Sequence, residues 1–204
     1  MPLQGWNQLL NSGAPWQTTV GSPLSTASTA TISSQAAGSK DYVVGTQYLY
    51  PGAVFRLTAQ GIVTITSAVT TTLWVPFPAA GVTPAALCTP VTFTNGGGGA
   101  AQAVTGLPWW WQSVHRITAI GSTGNTISSM GWLSIGVGAG SIAQPASPAN
   151  PGTNVGSIYF APASGGENAA AIDTSVAMPI MMRCTLTGTS GTVQCLQFLV
   201  EQLD

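Results

Sequence analysis

Charge is what this chain most lacks. Its 204 residues include 4 Lys+Arg and 5 Asp+Glu, 4% in all, where a soluble domain usually carries about 25%. Four cations cannot line a phosphate backbone, which argues against nucleic-acid binding through counterion release and equally against an anionic membrane surface. One histidine, three cysteines and five carboxylates show no ligand spacing, whereas a metal site needs several such groups together. The cysteines, Cys88, Cys184 and Cys195, are odd in number and suit synthesis in a reducing cytoplasm better than a secreted disulfide framework. No apolar run reaches about 18 residues, so no transmembrane helix is expected. The start MPLQGWNQLL has neither the basic region nor the long apolar stretch of a signal peptide.

Helical periodicity is also scarce. The one helix candidate is a turn or two around Trp6–Leu10. What the chain has instead is Gly 25, Pro 14 and abundant Thr and Val, which disfavour helices and favour strands and turns. Residues 1–35 read as an extended arm, because 11–35 are rich in Ser, Thr, Ala and Gly and cannot pack a core alone. The arm's apolar residues Trp6, Leu9 and Leu10 are candidates for ordering against a neighbour. Residues 36–204 read as the folded domain. Strands are expected at Tyr42–Val44, Val54–Thr66, Thr71–Phe77, Ala86–Phe93, Leu107–Ile120, Thr126–Val137, Ser157–Phe160, Ala177–Leu186 and Thr192–Leu203. Pro51-Gly52 marks a turn, and Gly61 a bulge or bend. Residues 138–157, with Pro145, Pro148 and Pro151, form a long connection or protruding loop. Strands at this turn-bounded spacing predict an all-β, antiparallel, jelly-roll-like β-sandwich with an extended N-terminal arm.

The last two strands are expected to pair as a hairpin. A symmetric register would set Cys184 opposite Cys195 but bring Gln197 onto the apolar face, at a cost of about 1–3 kcal/mol for an unpaired amide. A three-residue turn Thr189–Gly191 instead sets Cys184 opposite Leu196, Met182 opposite Phe198 and Ile180 opposite Val200. That register is preferred, with no disulfide and no functional cysteine.

Catalytic patterns are thin. Ser113 and His115 share a strand face, but there is no nucleophile elbow around the serine and no evident third acid; His115 reads as a hydrogen-bonded strand residue. Asp173 and Glu167 are close in sequence but lie in a loop without an aromatic cradle for a sugar. Asn95–Gly99 lacks the Lys and Ser/Thr of a phosphate loop. The strongest local oddity is Trp109-Trp110-Trp111. Consecutive strand residues face opposite sides, so Trp109 and Trp111 belong to the core while Trp110 is left for a subunit interface, where Trp is enriched. Arg56, Arg116 and Arg183 sit inside strands, either facing solvent or pairing across subunits with Asp173, Glu167 or Glu201. Such low charge also favours an assembly that covers much of the surface.

Several stretches share a family's order. They are Thr29–Ser33 (TATIS), Asp41-Tyr42, Tyr50-Pro51-Gly52, Phe55–Thr66 (FRLTAQGIVTIT), Leu107–Trp111 (LPWWW) running through Arg116–Ala119 to Gly121, Ile172-Asp173-Thr174, and Val193–Leu203 (VQCLQFLVEQL). In these the chain resembles the trimeric capsid decoration (minor capsid) proteins of tailed phages infecting actinobacteria. The resemblance implies a jelly-roll-like homotrimer on the outer capsid surface. Its partner would be the major capsid protein, with no catalysis and no cofactor. A host-glycan-binding fibre or tail component is the alternative.

Overall fold

A computed structural model describes residues 8–9, 28–32, 42–65, 70–74, 76–77, 85–88, 91–95, 104–122, 125–136, 142–143, 157–162, 168–170, 172–187 and 191–203. Along the fourth strand every odd position from Phe55 to Val63 is buried and every even one is not. This period of two is what one sheet face against a core requires. The strands in chain order are β1 (Gln8–Leu9), β2 (Ser28–Thr31), β3 (Tyr42–Val44), β4 (Val54–Ile65), β5 (Thr70–Trp74), β6 (Pro76–Phe77), β7 (Ala85–Ala86), β8 (Val91–Asn95), β9 (Val104–Ile117), β10 (Asn125–Ile135), β11 (Ile142–Ala143), β12 (Ser157–Pro162), β13 (Asn168–Ala170), β14 (Met178–Ile180), β15 (Arg183–Thr187) and β16 (Gly191–Leu203). A single short 3-10 turn, Thr46–Tyr48, is the helical structure among the described residues.

All the pairings are antiparallel. The large sheet runs β1-β16-β4-β9-β10-β12, with β13 also on β10, and the second runs β11-β8-β5-β15-β2. One buried cluster draws on both: Phe55, Leu57, Trp109, Trp111, Leu133 and Phe198 from the first, Cys184 and Leu186 from the second. Removing such side chains from water at about 25 cal/mol per Å² supplies the main drive to fold. The fold is thus all-β and antiparallel, as the alternation of apolar residues implies.

Several local expectations change in the structure. The helix candidate at Trp6–Leu10 gives way, in its described part, to β1, which pairs Gln8 with Gln202 and Leu9 with Glu201. Of the stretch read as an arm, Ser28–Thr31 is an edge strand on β15, and the Ile32 amide donates to Met182 O at 2.9 Å. The closing hairpin does not form. β15 pairs with β5 and β2, whereas β16 pairs with β4 and β1. Met182, Cys184, Phe198 and Val200 are all buried, but as parts of two sheets sharing a core rather than as cross-strand neighbours. A bulge does occur beside Gly61, with the extra residue, Leu196, on the partner strand. Gly61 itself is required by close approach: a Cβ there would lie 1.9 Å from Gln194 O and 2.6 Å from the Trp109 ring. Pro51-Gly52 forms the expected turn. Ala53 N–H donates to Tyr50 O at 2.9 Å, and Gly52 has φ 96°, as a type II turn requires at its third residue.

The cysteines are free and buried. Burial pushes each thiol up to about 12. The loop at 138–157 and Asn95–Gly99 lie largely outside the described residues, as does Glu167.

Candidate functional site

Two places in the fold gather chemistry. The first is inside. On β9, Ser113, His115 and Trp111 point into the core, and Ser129 of β10 stands opposite His115 by register. Trp111 Nε1–H donates to Ser113 Oγ at 3.0 Å. Ser113 Oγ lies 2.8 Å from His115 Nε2, and Ser129 Oγ lies 2.8 Å from His115 Nδ1. A neutral imidazole donates through one nitrogen and accepts through the other, and a serine meets each. Burial drives the His115 pKa down to about 3, because desolvation disfavours the charged ring. A general base is most effective with a pKa near the working pH, and Ser113 and His115 are buried. This serine–histidine contact satisfies buried polar groups. Among the described residues, no three His, Cys, Asp or Glu side chains gather to hold a metal ion.

The second place is the outer face of the large sheet. Register sets four rows across β16, β4, β9 and β10: Leu203–Val54–Arg116–Ser128, Glu201–Arg56–Val114–Met130, Leu199–Thr58–Gln112–Trp132 and Gln197–Gln60–Trp110–Ser134. None of these residues is fully buried. Met130 is 63% exposed and Trp110 37%. Trp110 meets Trp132 edge to face, with centroids 6.2 Å apart and rings at 64°, a favoured aromatic geometry. The face carries Trp, Met, Val and Leu among Gln, Thr and Ser, with Arg56, Arg116 and Glu201 as its charged residues.

The candidate residues separate accordingly. Trp110 faces outward while Trp109 and Trp111 are buried, as alternation demands. Arg56 and Arg116 share Trp110's face. Arg183 is on the second sheet, opposite Thr31 and Trp74. Arg56 does form an ion pair, but within the chain: its Nε donates to Glu201 Oε2 at 2.9 Å, and this hydrogen bond raises the Arg56 pKa. The inter-subunit pairing expected for Arg56 with Glu201 is therefore replaced by a cross-strand contact. Asp173 Oδ1 accepts from both the amide and the hydroxyl of Ser175. Leu9 lies in β1; Trp6 and Leu10 fall outside the described residues. Met130 and Trp132 are the outer-face residues that reading the sequence missed. Their signal is the same alternation along β10 that identifies Trp110 on β9.

One end of the large sheet is tied by polar contacts. Gly52 N–H donates to Ile117 O at 2.8 Å. Gly121 N–H donates to Thr174 Oγ1 at 3.0 Å, and Thr174 Oγ1–H donates to Ala119 O at 2.9 Å. Gln202 Nε2–H donates to Tyr50 Oη at 3.1 Å. Tyr50-Pro51-Gly52, Arg116–Gly121 and Ile172–Thr174, three separate stretches in the chain, thus meet. Tyr50, Ile120 and Val176 remain exposed there.

No protein-family model matches the chain, and no curated protein matches it.

Proposed function

We propose that this protein is a structural component of a virion. As a homotrimer with a jelly-roll-like sandwich fold, it decorates and reinforces the outer surface of a tailed-phage capsid and contacts the major capsid protein there. The observation that carries this reading is the outer face of the large sheet, a strip of Trp110, Trp132, Met130, Val114 and Leu199 backing directly onto the core. Exposed Trp and Met side chains grouped on one mixed face are better satisfied when something covers them. The 4% charge of the whole chain fits a surface covered by assembly rather than one kept apart by repulsion. The meeting of Tyr50–Gly52, Arg116–Gly121 and Ile172–Thr174 at one end of the large sheet is compatible with this reading. The reading involves no catalysis, cofactor, nucleic acid or membrane.

Cryo-electron microscopy of the particle tests it. Density for three copies on the head supports decoration, and density confined to the tail overturns it. The exposed indole of Trp110 also favours, more weakly, a host-glycan-binding role. However, the rings of Trp110 and Trp132 stand at 64° and make no flat two-ring platform. The nearest carboxylate on that face, Glu201, is held by Arg56.

A further inference from the structure

On this reading of a homotrimeric virion component, we propose that a second copy of the chain seats on the outer face of the large sheet, centred on Trp110, Trp132 and Met130. Composition supports the seat. Interface cores are enriched in Trp, Met and Arg; this face has two Trp, a Met and two Arg, beside Glu201, Ser128 and Ser134. Area supports it as well. Four strands by eight residues span roughly 19 by 27 Å, about 500 Å² in projection before side-chain relief. A standard interface takes about 800 Å² of accessible surface from each partner, so this face supplies most of one.

Charge selects the occupant. Arg56 and Glu201 neutralise one another at 2.9 Å, leaving Arg116 at the margin. A partner recognised by charge would find little on this face to read. An equally uncharged partner gives up few charge contacts of its own in covering it, and this chain, with net charge −1, is such a partner. The second sheet differs. There Thr185 and Thr187 retain exposure, and register aligns Thr29, Thr72 and Thr92 with Thr185. Thr185 and Thr187 suit contact with water, so Thr187 marks a described position away from the seat.

Sedimentation of the full-length protein at micromolar concentration tests the seat, comparing wild type with Trp110→Ala, Met130→Lys and a control, Thr187→Lys. Circular dichroism and thermal midpoint establish that each variant folds. The wild type and Thr187→Lys are expected to sediment as trimers. Met130→Lys is expected to shift to monomer, and Trp110→Ala to dissociate on the order of 30-fold more readily, as for a central hot spot. Three results overturn the seat: a monomeric wild type, folded variants that assemble like the wild type, or variants that stay trimeric but no longer bind phage heads. The last assigns the face to the capsid protein. The second and third leave decoration itself standing, because that is decided on the particle.

Discussion

His115 makes acid stability the sharpest prediction. It is the only histidine in the chain, and its fellow acid-range titrators are five carboxylates. Its pKa falls from 6.5 to about 3 in the fold. The unfolded chain therefore binds a proton below pH 6.5 that the folded chain refuses until about pH 3. Stability is complete above the unfolded pKa and falls as pH drops between those values, by about 1.4 kcal/mol per unit. Going from about pH 7.5 to about pH 5 costs about 2 kcal/mol, while most carboxylates stay ionised. That is a large share of a typical total of about 5–15 kcal/mol. Urea unfolding at both pH values, at one fixed protein concentration because association adds to stability, reads the loss as a lower midpoint at unchanged slope. His115→Gln starts less stable, since Ser113 and Ser129 lose partners placed for a ring, but it should lack the slope between those pH values. Nuclear magnetic resonance of the ring adds a second readout: its shift should not titrate while the protein stays folded. Equal wild-type stability at the two pH values, or a folded-state titration near pH 6, would refute the buried, neutral assignment.

Further outcomes follow from other contacts. Gly61→Ala forces a Cβ to within 1.9 Å of Gln194 O and should destabilise by about 1–3 kcal/mol or more, seen as a lower thermal midpoint. Tyr50→Phe strips the Gln202 side-chain amide of its 3.1 Å partner and should cost about 1–3 kcal/mol, or roughly 2–4 °C per kcal/mol; an unchanged midpoint would contradict that bond. Because burial raises all three thiols to about 12 and the thiolate is the reactive form, a thiol reagent at neutral pH should label none in the native protein and three after denaturation.

Alternation of apolar residues is local, so the sequence by itself determined the long central strands and their faces. β4, β9 and β10 lie close to their expected positions. Trp109 and Trp111 are buried and Trp110 exposed because neighbouring side chains in a strand have no other choice. The shared face of Ser113 and His115 was equally legible. Which strands become neighbours is not local. β15 and β16 are adjacent in sequence, yet each finds its backbone partners elsewhere, β15 on β5 and β16 on β4. Register across distant strands brought Ser129 to His115 and Trp132 to Trp110. It also brought Glu201 to Arg56 across 145 residues of chain, turning an expected contact between subunits into one within the sheet. Each sheet face is written in the period of its own strand, but the neighbour across the ladder is chosen by the packing of the whole core. For that reason only the tertiary structure decided what lies beside Trp110.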